Sequence, residues 1–144
     1  MEISGLTFDE CGVVDTFIIY FILFIEDSEN VNITNVTIRN GRGYGLFVQK
    51  PHGTFTLSKA KFMYNERNFY FSIVKINAFT ILTVTDSVFT HGKSLRRSTS
   101  NYSGIELKLL HTYFNVAVHL ANIYVADNDD NNIYINYNVC KQCE

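Results

Sequence analysis

Proline is nearly missing from this chain, with one in 144 residues, and tryptophan is missing altogether. Turns that rely on proline to fix φ are excluded, so other residues must bend the backbone. Charge is sparse as well: 12 Lys and Arg against 14 Asp and Glu leave a net charge of −2. No basic block is long enough to neutralise a row of phosphates, which excludes nucleic acid as the expected partner. The longest apolar run is Thr16 to Ile25, far short of the ~20 residues a membrane-spanning helix needs. Acidic Asp9, Glu10 and Asp15 precede it where a secretory signal would carry basic residues. The run reads as a buried strand, and no membrane span is expected within this chain.

What the chain does contain is apolar and amidic. Hydrophobic residues make up 47%, Phe and Tyr together number 21, and there are 15 asparagines, about one residue in ten. That is enough apolar material for the core of a single domain. β-branched and aromatic residues in short alternating runs, separated by Asn and Gly, are the composition of strands and turns.

The runs repeat. Four segments share apolar positions at spacings 0, 3 and 5 and close on Gly or Asn at position 8. They are Ile33-Thr-Asn-Val36-Thr-Ile38-Arg-Asn-Gly41, Leu57-Ser-Lys-Ala60-Lys-Phe62-Met-Tyr-Asn65, Val84-Thr-Asp-Ser87-Val-Phe89-Thr-His-Gly92 and Leu120-Ala-Asn-Ile123-Tyr-Val125-Ala-Asp-Asn128. A degenerate copy starts at Ile3, with Leu6 and Phe8, and reaches Cys11. Gly41, Asn65, Gly92 and Asn128 belong to the residue types that enter a left-handed conformation at least cost, so the closing position is expected to be a left-handed bend. A second unit follows each bend: Gly45-Leu46-Phe47-Val48, Asn68-Phe69-Tyr70-Phe71, Gly104-Ile105-Glu106-Leu107 and Asn132-Ile133-Tyr134-Ile135. A third apolar stretch, as in Phe79 to Val84 and Phe114 to Leu120, leads into the next copy.

Successive copies start 30, 24, 27 and 36 residues apart, within the range of periods that means a solenoid. The long last interval reflects an insertion within Lys93 to Ser103, whose polar composition predicts an exposed loop. Stacked, the copies align Ile3, Ile33, Leu57, Val84 and Leu120; Phe8, Ile38, Phe62, Phe89 and Val125; and Leu46, Phe69, Ile105 and Ile133. Like residues recurring in one column favour a parallel coil with a shared interior over an antiparallel sandwich. Ser87 is the polar exception; if it points inward, its hydroxyl must find a backbone partner. The expected fold is all-β, a right-handed parallel β-helix of about five coils with three short strands each. It covers residues 1–139, with an irregular first coil over 1–30. No capping helix is evident at either end, which predicts exposed edges and a tendency to aggregate or to belong to a longer array.

The pattern, clearest in residues 31 to 48, resembles the right-handed parallel β-helix repeat family, the pectin-lyase-like fold. That family holds pectate lyases, polygalacturonases, phage tailspikes and non-catalytic surface proteins, so the resemblance implies a fold without choosing a function. For the polygalacturonase branch, clustered aspartates and a His-Gly would be needed. His91-Gly92 and Asp129-Asp130 are the only echoes, in the opposite chain order and without an Arg-x-Lys element.

Other candidate chemistry is weaker still. Asp127 to Asn132 alternates oxygen ligands like the start of a calcium loop, but Asn132 stands where Gly belongs and Asn138 where Glu belongs, so a solvated turn is the plainer reading and a shallow calcium site the alternative. No cofactor and no metal centre is expected. On the second unit, the residue between the two apolar ones should face outward, giving a ligand-binding candidate in the file Phe47, Tyr70, Glu106 and Tyr134. Such aromatics can stack on sugar rings, or simply on one another. Gln49, Ser72, Lys108 and Asn136 form the neighbouring outward file.

Asn32-Ile-Thr34, Asn35-Val-Thr37 and Asn101-Tyr-Ser103 are N-glycosylation acceptors, with Asn101 in the inserted loop the most accessible. Lys93, Arg96 and Arg97 form a small basic cluster there. Cys140 and Cys143 read as the beginning of a disulfide-rich extracellular module spanning 140–144 and beyond, with Cys11 buried near the first bend or paired elsewhere. The function expected is a non-enzymatic extracellular or cell-surface scaffold or adhesion segment, its partner a glycan or a protein at a surface. The alternative is a fragment of a polysaccharide lyase or glycoside hydrolase acting on acidic polysaccharide.

Overall fold

The fold follows from how the repeat columns pair. A computed structural model describes residues 1–11, 21–73, 80–93, 102–109, 116–129 and 131–137. They form three parallel sheets of five strands each. The first sheet orders β1 (Glu2–Ser4), β4 (Glu29–Thr34), β7 (His52–Ser58), β10 (Thr80–Thr85) and β13 (Val116–Ala121). The second orders β2 (Thr7–Asp9), β5 (Thr37–Arg39), β8 (Lys61–Met63), β11 (Val88–Thr90) and β14 (Tyr124–Ala126). The third orders β3 (Phe21–Glu26), β6 (Tyr44–Gln49), β9 (Arg67–Ile73), β12 (Tyr102–Leu109) and β15 (Asn131–Tyr137). One strand from each sheet makes a rung, so the chain is an all-β parallel solenoid with three strands per coil. No helix occurs among the described residues.

Register matches the repeat columns. Ile3, Ile33, Leu57, Val84 and Leu120 pair in line across the first sheet. Phe8, Ile38, Phe62, Phe89 and Val125 do so across the second. Leu46, Phe69, Ile105 and Ile133 do so across the third, with Leu23 before them. Strands one period apart thus hydrogen-bond while their alternate side chains fill one interior. Phe62 and Phe89 stack with centroids 5.1 Å apart and planes 2° from parallel. In-register stacking of this kind gives the core rigid aromatic contacts beyond plain area burial. Ser87 is buried and satisfied as its position demands: its hydroxyl donates to Thr85 O at 2.7 Å and accepts from Ala60 N at 3.1 Å.

The bends correct the sequence reading. Left-handed residues lie one position before the Gly/Asn column, at Glu10, Asn40, Tyr64, His91 and Asp127, with φ from 53° to 57°. A second set follows the first-sheet strands at Gly5, Asn35, Lys59, Asp86 and Asn122. Tyr64 and Lys59 are not residues that favour this conformation. Pairing along the stack holds them there, because their N–H groups donate to the next rung: Lys59 N to Thr85 O at 3.1 Å, Tyr64 N to Thr90 O at 3.3 Å.

Gly41, Asn65, Gly92 and Asn128 themselves do not have positive φ. Their identities answer to a different need, a buried amide ladder. Asn65 accepts from Gly41 N at 3.0 Å and donates to Ile38 O at 2.9 Å and to Asn68 Oδ1 at 3.0 Å. Asn68 donates onward to Thr90 O and to Asn128 Oδ1, and Asn128 accepts from Gly92 N at 2.7 Å while donating to Asn132 Oδ1 at 2.8 Å. Asn and Gly alternate along the stack because each amide needs the room its neighbour leaves. A Cβ on Gly104 would lie 2.1 Å from Asn132 O, and one on Gly45 would lie 2.7 Å from Asn68 O.

The first coil also differs from expectation. Among the described residues of the apolar run only Ile25 is fully buried; Phe21 and Phe24 are 38% and 44% exposed, paired with Tyr44 and Phe47 on the outer side of the third sheet. Residues 16–20 of that run lie outside the described residues. The terminal rungs pair on one side only and leave Leu6 and, at the other end, Ile133 and Ile135 exposed. No helix among the described residues is long and apolar enough to cross a membrane.

Candidate ligand-binding face

Parallel stacking turns a residue position into a file, and the outer side of the third sheet carries the file of interest. Phe24, Phe47, Tyr70, Glu106 and Tyr134 pair in line on β3, β6, β9, β12 and β15. The four residues picked out from the sequence therefore stand on four consecutive strands, with Phe24 added before them. The neighbouring file runs Glu26, Gln49, Ser72, Lys108 and Asn136, with Ser72 buried at 2% exposure.

The rings meet one another. Phe47 and Tyr70 stack at 4.3 Å with planes 11° apart. Phe21 lies 4.4 Å from Phe47 and 5.1 Å from Phe24, and Tyr44 meets Phe47 edge-on at 5.1 Å. A cluster of five aromatics thus covers the first three strands of this face.

Beside it is a polar group that the alternation rule conceals. Tyr44 pairs with Arg67, and Arg67 Nη1 donates to the Tyr44 hydroxyl while its guanidinium carbon sits 4.9 Å from the Tyr44 ring centre. Strict period-two alternation from Phe47 would send Tyr44 inward. Gly45 breaks the parity: a Cβ there would face buried Phe62 and Asn65, so Gly45 and Leu46 are both interior positions and Tyr44 returns to the outer side. The Gly or Asn two residues before each outward residue, Gly45 on β6 and Asn68 on β9, is the signal that could have found Tyr44 and Arg67.

Glu106 completes the group. It is only 8% exposed although it stands on the outer file, and its Oε2 is 3.8 Å from Arg67 Nη1 and without a hydrogen-bond partner. Burial pushes its carboxyl above the ordinary glutamate value, with the Arg67 and Lys108 charges opposing. Burial likewise raises the Tyr44 hydroxyl, against the opposing pull of Arg67. The face therefore combines ring surfaces with one under-satisfied acceptor.

Other candidates are placed as follows. His91 is exposed at its bend and stacks on Tyr64 at 4.5 Å; Gly92 O accepts from Asp129 N at 2.9 Å, which brings His91 and Asp129 to adjoining rungs. Asp130 lies outside the described residues. In the acidic turn, Asn128 donates to Asn132 Oδ1 at 2.8 Å, which ties both amides into the stack. No group of three or more His, Cys, Asp or Glu is poised to hold a metal ion among the described residues.

Asn32 is exposed on β4, and Asn35 is exposed at a bend with φ 54°. Asn101, Arg96, Arg97, Cys140 and Cys143 lie outside the described residues, while Tyr102 and Ser103, assigned to the inserted loop from sequence, belong to β12. Cys11 is half-buried with a free thiol. On the second sheet, Asp9 takes two hydrogen bonds from Arg39 and one from Asn40, which hold its carboxyl below the usual aspartate value. The chain matches no protein-family model, no curated protein and no solved structure.

Proposed function

We propose that this chain is a non-enzymatic segment of an extracellular or cell-surface solenoid, of the right-handed pectin-lyase-like kind, serving as a rigid scaffold that binds glycan through the outer face of the third sheet. The observation that carries the reading is the in-line file of Phe24, Phe47, Tyr70, Glu106 and Tyr134 on that face. Outward rings on a sheet whose core is already filled are not needed for burial in the interior, and an aromatic face beside a polar acceptor is the usual means of holding a sugar ring. The exposed sequon asparagines Asn32 and Asn35 fit a secreted chain.

A glycan array tests the proposal directly. The wild-type chain should bind a set of oligosaccharides, and the Tyr70→Ala plus Tyr134→Ala double variant should lose at least about tenfold in affinity, the equivalent of ~1.4 kcal/mol. Equal binding by both proteins, with far-UV circular dichroism showing both folded, would remove the aromatic face from consideration.

A further inference from the structure

Every polar group of the solenoid interior described above has a partner, whereas Glu106, on the outer side, keeps a buried Oε2 with none. A buried acceptor without a donor is costly, and buried Arg67, 3.8 Å away, balances the charge of this carboxylate without supplying its Oε2 a hydrogen bond. The other residues of its file are Phe, Phe, Tyr and Tyr. A ring at position 106 would simply continue the stack.

Three features define what the carboxylate can serve. Tyr70 turns one face to Phe47 in a near-parallel stack, so its opposite face is turned toward the rung that carries Glu106, ~4.8 Å on. Tyr134 stands on the far side of Glu106, on β15. Arg67 Nη1 is 3.8 Å from Glu106 Oε2, too far for a hydrogen bond, so the carboxylate is attracted to the guanidinium without being locked to it. An acceptor that is charged, under-satisfied and set beside an aromatic face suits a ring that offers C–H bonds to the aromatic and O–H donors to the carboxylate.

We propose that Glu106 is the specificity-determining acceptor of this face, taking the hydroxyl hydrogens of a neutral pyranose unit laid against Tyr70 and discriminating against acidic sugars. The inference rests on the glycan-binding reading and sharpens it to a substrate class. Because Oε2 is closed from solvent, capture includes a turn of the Glu106 side chain away from Arg67 toward the Tyr70 ring. The ligand hydroxyls then supply the donors that the protein lacks. A uronate or sulfate at the same place would bring a second negative charge against Glu106 in a site of low polarity, which the site opposes.

The experiment measures binding of neutral β-glucan, mannan and galactan oligosaccharides and of acidic polygalacturonate and alginate oligosaccharides to three proteins: wild type, Glu106→Gln, and the Tyr70→Ala plus Tyr134→Ala double variant. Wild type should prefer the neutral set, and Glu106→Gln should weaken that binding by about tenfold or more while narrowing the discrimination against the acidic set. Neutral binding unchanged in Glu106→Gln but lost in the tyrosine double variant would overturn this inference and leave the aromatic face standing. Preference of the wild type for acidic oligosaccharides, engaged through Lys108, would do the same. Failure of the wild type to bind either set would overturn both readings together.

Should Glu106→Gln fail to fold, the pH dependence of binding decides. Arg67 and Tyr70 on β9, Tyr44 on β6, Lys108 on β12 and Tyr134 on β15 are the charged and titratable groups around Glu106. Glu66, beside Arg67, is the other carboxyl raised by burial among the described residues, so the titration is made in a Glu66→Gln background, where neutral-glycan binding should fall as pH drops through the raised pKa of Glu106. Binding that stays flat through that range overturns the proposal.

Discussion

The amide ladder at the corner between the second and third sheets and the aromatic file on the outer side of the third are built the same way, and they obey different demands. Both are columns produced by one residue position recurring on successive rungs. In the ladder, Asn65 and Asn128 each use their amide oxygen and nitrogen on partners of the adjoining rungs, and the intervening glycines are fixed by the room those rungs leave. In the file, Phe47 and Tyr70 satisfy each other, but Glu106 leaves an oxygen unmatched. Residues of the ladder are what the coil requires, while Glu106 is what the coil merely tolerates. The difference separates positions that belong to the fold from one that is available to function.

The comparison is broken most forcefully in the ladder. Asn65→Leu removes three hydrogen bonds and leaves Gly41 N, Ile38 O and Asn68 Oδ1 without that partner in a buried site. At roughly 1–3 kcal/mol for each stranded group, the expected loss is about 4 kcal/mol or more. Gly104→Ala meets the backbone of Asn132 instead of a side chain that could swing away, and should cost about 3 kcal/mol. Thermal unfolding followed by far-UV circular dichroism measures both. If either variant melts within a degree or two of the wild type, the Asn/Gly alternation is not a requirement of the stack.

That alternation also shows what the sequence could and could not disclose. The apolar columns were legible because every rung contributes the same inward positions, and pairing of Ile33 with Leu57 and of Ile38 with Phe62 follows the spacing directly. The Gly/Asn column was visible too, but its reason was not. Left-handed geometry and side-chain room both select Gly and Asn, and only hydrogen-bond partners distinguish them. The true left-handed positions include Tyr64 and Glu10, residue types that give no hint of positive φ, because the force holding them is the N–H pairing to the next rung. At the candidate face, Phe47, Tyr70, Glu106 and Tyr134 followed from alternation. Tyr44 and Arg67 did not, because Gly45 on β6 and buried Asn68 on β9 break the period on which that argument depends.

On the outer file a smaller effect is expected. Tyr70→Ala removes the stacked contact with Phe47 and the edge contact with Tyr44, and should cost about 1–2 kcal/mol from lost ring contacts, without stranding a buried polar group. Its melting temperature should therefore fall less than that of Asn65→Leu by at least a factor of two. A Tyr70→Ala loss as large as that of Asn65→Leu would mean that the outer file is as much a part of the stack as the ladder, and the distinction drawn between them would fail.

The smallest effect lies at Glu106 and is seen only against pH. Its carboxyl is raised above the ordinary value of 4.5, chiefly by burial, so the folded state holds its proton more tightly than the unfolded chain does. Such a group favours folding fully below the unfolded pKa and loses that contribution as pH rises through the folded one. Glu106→Gln has no proton to release there. From about pH 4 toward neutrality the wild type should therefore lose stability relative to Glu106→Gln, by less than the Tyr70→Ala effect because Arg67 and Lys108 offset part of the burial cost. Paired denaturant melts at several pH values measure the gap. A gap that does not change across this range would show that the carboxylate is solvated or fully hydrogen-bonded in the folded chain, and with that the one unmatched group on the aromatic face would be gone.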